Sequence, residues 1–262
     1  MAPRRPPQHT GAMAEHPAPA PAAPDRPVAL VTGAAHGLGL EVAVQLARLG
    51  TDVLVGARDP DRAASAVRGL AGVDALPWPL DITDQDSVDR AVRTVEETRG
   101  RLDILVNNAA AHPDHGAAVT GPDLDAAART VGVDLIGTWR MTVAALPLLE
   151  RSPRPRVVNV GSGAGSRTDP RYGTAVSGGG HPAHALGKAA VHALTGVLAA
   201  GLADSPVVVN AVCPGFTATV PGAREAGARD AAESAPGVVW AATLPDDGPR
   251  GGLFRDGEPL GW

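Results

Sequence analysis

Residues 32–39 read TGAAHGLG, and the interpretation of the whole chain starts from this stretch. It follows the short apolar run Val28–Val31 and opens a segment with apolar residues at helical spacing, Leu38, Val42, Leu46 and Leu49. Gly33, Gly37 and Gly39 allow close backbone approach, and the first N–H groups of a helix favour a pyrophosphate. The same glycines would also suit a tight strand–helix connection that binds nothing. The stretch therefore predicts a dinucleotide site only if the surrounding pattern agrees.

The surrounding pattern alternates between strands and helices. Strand-like apolar runs recur at Val28–Val31, Asp52–Val55, Ala75–Leu80, Leu102–Val106, Arg156–Val160 and Val207–Val212. Between them, Thr83 and Asp86 resemble a capping box, followed by a helical stripe of Val88, Val92 and Val95. Asp256–Gly257 predicts a turn before a last edge strand. We therefore predict an α/β fold, a single-domain doubly wound parallel sheet with helices on both faces.

Composition excludes several classes of function. The chain has 262 residues and a net charge of −5, which does not favour nucleic-acid or anionic-membrane partners. Aromatic residues make up only 3%, too few for a base-stacking platform. No apolar run approaches the roughly 20 residues that span a bilayer. Cys213 is the sole cysteine, which excludes an internal disulfide and predicts a cytoplasmic protein.

The beginning of the chain differs from the rest. Residues 1–27 are rich in Pro and Ala and lack the apolar stretch of a signal peptide. We interpret 1–27 as a disordered leader and 28–262 as the folded domain.

Further motifs follow TGAAHGLG in a fixed order. They are DITD at 81–84, LVNNAA at 105–110, VVNVGSGAGS at 157–166, HALGKAAVHALT at 184–195 and VNAVCPGFTAT at 209–219. In order and spacing the chain resembles the short-chain dehydrogenase/reductase (SDR) family over residues 28–262, with the carbonyl-reductase-like branch nearest. The resemblance implies a Rossmann fold and an oxidoreductase that interconverts a carbonyl and a secondary alcohol of a small molecule.

The resemblance also implies the residues that contact the cofactor. They are Gly33, Gly37, Leu38 and Gly39 at the pyrophosphate, Asp81 and Ile82 at the adenine, Asn107 beside the adenosine ribose, Lys188 at the nicotinamide ribose, and Pro214, Gly215 and Thr219 at the nicotinamide.

Arg58 bears on which nicotinamide cofactor is bound. The second strand ends in VLVGAR, without the acidic residue that would bind the 2′-hydroxyl of NAD. The Arg58 guanidinium suits a 2′-phosphate, and His36 would assist when protonated. This favours NADP(H) over NAD(H). The alternative is that Arg58 is an ordinary solvated surface charge with no role in cofactor binding.

Two of the four catalytic positions of the family are altered. Its working set is Asn, Ser, Tyr and Lys, of which Ser162 and Lys188 match here. The tyrosine position holds His184 and the asparagine position, in VGVDLIG, holds Asp134. The only tyrosine, Tyr172, is not followed four residues later by lysine. Because His184 and Lys188 are four residues apart, they share one face of a helix.

The chemistry of His184 leaves several functions open. Imidazole is shorter than phenol by about 2 Å, and misplacement is costly, yet histidine suits proton transfer near neutral pH. The Lys188 ammonium disfavours the protonated form of His184, whereas the Asp134 carboxylate favours a positive charge on Lys188 or on His184. An Asp134–Lys188 pair would also draw the lysine away from the ribose.

Three functions follow from this set of residues. They are an NADP(H)-dependent oxidoreductase, a non-redox acid/base enzyme such as an isomerase, dehydratase or cyclase, and a catalytically silent cofactor-binding protein. A hydrolytic triad of Ser162, His184 and Asp134 is disfavoured because triads depend on geometry rather than composition. We predict no metal site, since His112, His115 and His181 lack metal-ligand spacing.

One helix carries a run of small residues, namely Ala189, Ala190, Ala193, Gly196, Ala199 and Ala200. This surface suits close packing between subunits of a homodimer or homotetramer. The alternative is that it packs against the sheet of its own chain. Val220–Ala235, where the family carries its substrate lid, does not define the substrate.

Overall fold

The structure, a computed structural model, describes residues 26–111, 114, 117–219 and 222–262. Its strands are β1 (Val28–Thr32), β2 (Asp52–Gly56), β3 (Val73–Ala75), β4 (Ile104–Asn107), β5 (Arg156–Val160), β6 (Val208–Val212), β7 (Leu253–Arg255) and β8 (Glu258–Pro259). They form one sheet in the order β3-β2-β1-β4-β5-β6-β7-β8. All neighbours pair in parallel except β7 and β8. The predicted doubly wound parallel sheet is confirmed.

Helices cover both faces of this sheet. They are α1 (Gly37–Arg48), α2 (Pro60–Val67), α3 (Gln85–Arg99), α4 (Leu124–Val131), α5 (Thr138–Leu149), α6 (Pro182–Gly201) and α7 (Ala231–Ala242), with a π-helix at Gly132–Gly137 and a 3-10 turn at Gly163–Gly165. Side chains of β1 alternate between the two faces: Ala29 and Val31 join the core under α1, α2 and α7, and Val28 and Leu30 join the core under α3, α5 and α6.

The third strand is shorter and earlier than predicted. The expected run was Ala75–Leu80, but β3 ends at Ala75. The segment continues as Leu-Pro-Trp-Pro, and the prolines at 77 and 79 have no N–H to donate to a strand ladder. Leu76 still donates its N–H to Val55 O at 2.9 Å, so the chain follows β2 for one more residue before leaving the sheet.

Two local predictions differ in outcome. The N-cap of α3 is Asp84, which accepts a hydrogen bond from Asp86 N at 3.2 Å, so the predicted capping box of Thr83 and Asp86 is wrong. Thr83 instead donates its hydroxyl to Asp81. The predicted Asp256–Gly257 turn is confirmed, because both residues have positive φ, 53° and 85°, between the antiparallel strands β7 and β8.

The predicted leader, residues 1–27, lies outside the described residues except for its last two. Arg26 Nε donates to Gly50 O at 2.7 Å, and Pro27 O accepts from Asp52 N at 2.8 Å. These contacts attach Arg26 and Pro27 to the residues at the start of β2. Within the described ranges, every helix is too short or too polar to cross a bilayer.

Parallel strands bring their carboxyl ends to one edge of the sheet, where doubly wound folds bind ligands. Gly33 follows β1, Asn107 ends β4, Ser162 follows β5 and Pro214 follows β6. The residues singled out in the sequence therefore converge on this edge.

Candidate active site

The glycine-rich loop lies tightly against the loop that follows β4. Gly33 has a φ of 65°, and a Cβ there would lie 2.7 Å from the Cα of Ala109. A Cβ on Gly39 would lie 2.4 Å from Nδ2 of Asn108. No larger residue fits either position without moving backbone or a bonded side chain, so the bare backbone of this loop is a requirement of packing as well as of ligand approach.

Asn108 and Thr32 hold these two loops together. Asn108 Nδ2 donates to Thr32 O at 2.9 Å and to Gly33 O at 3.1 Å. Thr32 Oγ1 accepts the backbone N–H groups of Asn108 and Ala109. Sequence reasoning missed both residues, because their partners are more than seventy positions away.

The start of α1 faces the loop after β6. Gly37 has a φ of 57°, and a Cβ on it would lie 3.4 Å from the methyl group of Thr219. His36 is the N-cap residue and is extended, and Leu38 is buried beneath the first turn. Because the first N–H groups of a helix have no intrahelical partner, α1 presents donors to the space between Gly37 and Thr219.

Two residues predicted at the adenosine point into the core. Asn107 is 4% exposed, and its Nδ2 donates to Thr142 Oγ1 and Asn159 Oδ1, both at 2.9 Å. Ile82 is also 4% exposed and packs against Gly137. The packing is close, because a Cβ added to Gly137 would lie only 2.7 Å from Ile82 Cγ1. Little of either side chain reaches the cleft, so their contacts with ribose and adenine stay predictions.

Asp81 and Arg58 lie at the surface of the same region. Asp81 Oδ1 accepts from Thr83 N at 2.9 Å and from Thr83 Oγ1 at 2.7 Å, which orients the carboxylate. Arg58 is exposed directly after β2, beside Asp59, the N-cap of α2.

Lys188 on α6 is buried in contact with Asp134. Its Nζ donates to Val160 O at 3.0 Å and lies 3.5 Å from Asp134 Oδ2. Asp134 is fully buried on the π-helix, and its Oδ1 accepts from Ala111 N at 2.9 Å. The ion pair anticipated from the sequence is thus present.

His184 lies one turn before Lys188 and is half-buried. Burial, the larger cause, and the charge of Lys188 lower its pKa to about 4, although the carboxylate of Asp134 acts in the opposite direction. The imidazole is therefore neutral near pH 7. The sequence indicated a neutral His184 because of Lys188, whereas burial is the larger cause.

Asp114 connects the loop after β4 to the start of α6. Its two carboxylate oxygens accept from Ala183 N at 2.9 Å and from His184 N at 3.1 Å. Partial burial acts to raise the pKa of the Asp114 carboxyl, but these hydrogen bonds outweigh it and the pKa lies below its usual value. The carboxylate thereby caps the helix that carries His184. Sequence reasoning missed this residue, because nothing near Asp114 indicates a partner 69 positions later.

Ser162 follows β5 and caps the 3-10 turn Gly163–Gly165. Its Oγ accepts from Ala164 N at 3.2 Å. A hydrolytic triad with His184 and Asp134 is not assembled: Asp134 binds Ala111 and Lys188, and His184 Nδ1 has no hydrogen-bond partner among the described residues.

The loop after β6 is held by an arginine that sequence reasoning also missed. Arg229 donates to Pro214 O through Nε at 3.0 Å and Nη2 at 2.7 Å, and Nη2 lies 2.7 Å from Asp256 Oδ1. Gly215 has a φ of 74°, and a Cβ on it would meet Arg229 at 3.1 Å. Through Arg229, Pro214 and Gly215 are therefore fixed to the turn between β7 and β8.

Across the described parts of the chain, no three metal-ligating side chains come close enough to hold an ion.

Comparison with known proteins defines the class. A model of the short chain dehydrogenase family matches residues 27–228. The chain is 40% identical over 209 residues to a protein described as ketoacyl reductase 2 of the granaticin polyketide synthase of Streptomyces violaceoruber, covering 75% of each chain. It is 32% identical over 195 residues to a 3-oxoacyl-[acyl-carrier-protein] reductase of a Synechocystis species, covering 73% of this chain and 74% of the relative.

A solved structure agrees with the fold. A short chain dehydrogenase from Shigella flexneri, complexed with NADP, superposes with a TM-score of 0.74 at 24% identity, covering 88% of this chain and 96% of that one. The chain belongs to the short-chain dehydrogenase/reductase family and is an oxidoreductase of that class. The predicted family is confirmed.

Proposed function

We propose that the protein is an NADP(H)-dependent oxidoreductase that reduces the carbonyl of a small molecule, or oxidises the corresponding alcohol, with His184 replacing the family's tyrosine. The observation that carries this proposal is the group on α6: a neutral imidazole one turn from a buried lysine that contacts Asp134. Perturbed titratable groups of this kind, at the carboxyl edge of a doubly wound sheet, are typical of active sites.

The residues present fit the cofactor. Gly33 and Gly39 leave backbone bare where a Cβ would clash, and α1 offers N–H donors for a pyrophosphate. Asp81 would bind the adenine amino group, and Lys188 the nicotinamide ribose. Bound NADPH supplies the hydride.

Arg58 carries the preference for NADP(H). Its exposed guanidinium would bind the 2′-phosphate with the help of His36. Arg58→Ala should weaken NADPH binding by about 10- to 100-fold, the scale of a charge-assisted hydrogen bond, and leave NADH binding unchanged. Arg68→Ala, at an equally exposed arginine just after α2, is the matched control. Calorimetry showing equal losses for both cofactors would contradict the preference.

The chain's own residues would polarise the carbonyl. Ser162 would donate its hydroxyl to the substrate oxygen, and His184 would donate an N–H to the same atom. A neutral imidazole with a lowered pKa is an established electrophile for a carbonyl oxygen. His184 would pass its N–H proton to the alkoxide oxygen left by hydride addition, and the ammonium of Lys188, paired with Asp134, would return a proton to the imidazole.

The names of the relatives indicate which substrate to test first. Both relatives described above are named as reductases of ketoacyl or 3-oxoacyl groups, so we infer that a 3-oxoacyl thioester belongs at the head of the ketone panel. A simple ketone should be tested beside it. Turnover of the thioester alone would indicate a 3-oxoacyl reductase, and turnover of the simple ketone would indicate the carbonyl-reductase-like branch.

The experiment follows oxidation of NADPH by its absorbance, using the wild type, His184→Ala, His184→Tyr and Ser162→Ala. We expect turnover by the wild type and a loss of about 100-fold in kcat for His184→Ala, on the scale of a general acid/base contribution. A wild type that is inert while His184→Tyr is active would overturn the proposed role of His184. Substrate consumption without NADPH oxidation would instead indicate the non-redox acid/base enzyme.

The catalytically silent cofactor-binding protein has one specific observation in its favour. Lys188 already donates to Val160 O and contacts Asp134, so it is engaged before any ribose arrives. A melting shift with NADPH, together with inertness of both the wild type and His184→Tyr, would support it.

We also propose that the protein is cytoplasmic and assembles as a homodimer or homotetramer through α6. Its outer face exposes Leu186 by 65% and Val197 by 64%, with Ala193 and Ala200 also exposed between and beyond them. Light scattering of the wild type and of Val197→Glu would measure the subunit number. A monomeric wild type would contradict this assembly.

A further inference from the structure

His192 is a buried histidine that neither the sequence motifs nor the proposed reaction uses. It lies on α6 one turn after Lys188 and is 1% exposed. Its Nε2 accepts the backbone N–H of Ser162 at 3.3 Å. The histidine therefore contacts the backbone of the residue that would bind the substrate oxygen.

The direction of this hydrogen bond sets the tautomer of His192. Since Nε2 accepts, the proton of a neutral ring lies on Nδ1. Nδ1 makes no full hydrogen bond with the described residues, but the ring interacts with the backbone of Gly165, at the far end of the 3-10 turn. Burial, the larger cause, and the charge of Lys188 together lower the pKa of His192 to about 4, against the opposite effect of the Gly165 backbone. The acceptor nitrogen is thus available throughout the neutral range.

The turn lies directly against α6. A Cβ on Gly165 would lie 2.4 Å from Ala189 N, and a Cβ on Gly161 would lie 2.6 Å from His192 Nε2. Both ends of the Ser162 turn are thus in contact with the helix, and the imidazole fills the space left by Gly161. Any lateral shift of the turn would break the contact with His192.

Other groups close the surroundings of the ring. Trp262 packs its ring edge-on against His192, with centroids 6.1 Å apart. Cys213 Sγ, after β6, accepts from Gly163 N at 3.0 Å and from Arg255 Nη2 at 3.2 Å. The charged groups of this region are Lys188, which pairs with Asp134, and Arg255, which pairs with Asp169; the Asp169 carboxylate lies against Gly163 of the turn. The turn is therefore anchored by α6 on one side and by β6 on the other.

We propose that His192 is a positioning residue whose neutral imidazole holds the Ser162–Gly165 turn on α6, in register with His184 and Lys188. Its effect on catalysis rests on the proposed function, because that function makes Ser162 the substrate-binding hydroxyl. Lys188 and His192 both lie on α6, and His192 accepts the hydrogen bond from Ser162 N. The helix therefore sets the position of the serine relative to the lysine.

The test compares His192→Gln, which retains an acceptor at the Nε2 position, with His192→Leu, which retains the volume and loses the acceptor. We expect His192→Leu to lower kcat by about 10- to 100-fold, the effect of misplacing a catalytic group by about 1 Å. The Kd for NADPH should stay within about twofold of the wild-type value, and His192→Gln should regain most of kcat. Equal kcat losses in the two variants, or no loss in His192→Leu, would overturn the proposal.

A second measurement does not depend on turnover. In protein labelled with ¹⁵N-histidine, NMR should show His192 as the Nδ1–H tautomer with a hydrogen-bonded Nε2, without titration between about pH 5 and pH 8. An Nε2–H tautomer, or titration near the ordinary histidine pKa of about 6.5, would overturn the proposal. If the tautomer is as expected but the wild type reduces no ketone, the contact between His192 and Ser162 stands and the proposed function fails.

Discussion

The glycine-rich loop and α6 lie at the same edge of the sheet, but the sequence predicts that they depart from the family pattern to very different extents. In the loop, Gly33 and Gly39 stand where packing against the next loop excludes a side chain. On α6, the sequence predicts that His184 occupies the family's tyrosine position, and that Asp134 beside the helix occupies the asparagine position. Backbone that packs this closely is part of the fold and resists substitution. The predicted exchanges on the α6 side would change side chains without changing the strands of the sheet.

The exchanged residues nevertheless form a coupled set. Asp134 supplies a full negative charge to Lys188 where asparagine would supply a dipole, and Lys188 in turn lowers the pKa of His184. A change at one of these positions therefore alters the charge balance at the other two. By contrast, the contacts of Gly33 and Gly39 with the loop after β4 are steric contacts and neutral hydrogen bonds.

The largest effect should come from breaking the buried ion pair on the α6 side. Lys188→Met leaves the Asp134 carboxylate buried without its cation, and we expect the free energy of unfolding to fall by about 3–5 kcal/mol. Urea denaturation measures this loss. The double variant Lys188→Met, Asp134→Asn removes both charges and should regain most of the stability. If the double variant is no more stable than the single one, the 3.5 Å contact contributes little.

The loop side can be tested by comparing two glycines with positive φ. Gly33→Ala adds backbone strain and a Cβ at 2.7 Å from Ala109, whereas Gly50→Ala, at a φ of 89°, meets no atom within 4 Å. We expect a loss of about 3 kcal/mol for Gly33→Ala and about 1 kcal/mol for Gly50→Ala. NADPH binding should be lost only in the first. Equal losses in denaturation would show that φ strain alone, not loop packing, requires the glycine.

The pH dependence of stability should reflect the buried histidines. The pKa values of His184 and His192 are lowered from 6.5 to about 4 in the folded state. Between these values the unfolded chain binds more protons, so the free energy of unfolding decreases as pH falls through this window. His192 alone should contribute about 2–3 kcal/mol of this decrease. Denaturation from about pH 7 to pH 4 measures it, and His192→Gln should show a shallower slope; an unchanged slope would contradict a neutral buried His192.

The smallest effect separates a helix cap from a site residue. Asp114→Ala removes the acceptor for Ala183 N and His184 N, and Asp123→Ala removes the N-cap of α4, which accepts from Ala126 N at 2.9 Å. Each should lose about 1 kcal/mol of stability. Only Asp114→Ala should also change kcat or the titration of His184, because Asp114 binds the His184 backbone. If the two variants behave alike in kinetics and NMR, Asp114 is a helix cap and nothing more.

Much of the architecture was readable from local patterns. Apolar runs and helical stripes identified the parallel sheet, and five of the six predicted strands correspond to β1, β2, β4, β5 and β6. The failure at β3 came from counting apolar residues across two prolines. The motif spacing likewise placed His184 and Lys188 on one helix, which the structure confirms.

Chain order and residue type were enough to define the class of protein and the glycine positions, because these depend on neighbours within a few residues; the replacement of the family's tyrosine by His184 stays a prediction. The inward turn of Asn107 and Ile82, the cap from Asp114 and the contact of His192 with Ser162 depended on how distant segments fold back on each other. Asp114 and Ala183 are 69 positions apart, and Ser162 and His192 are 30 apart. A period of 2 or 3.6 residues indicates which face of an element is buried. It holds no information about which side chain from another part of the chain meets that face.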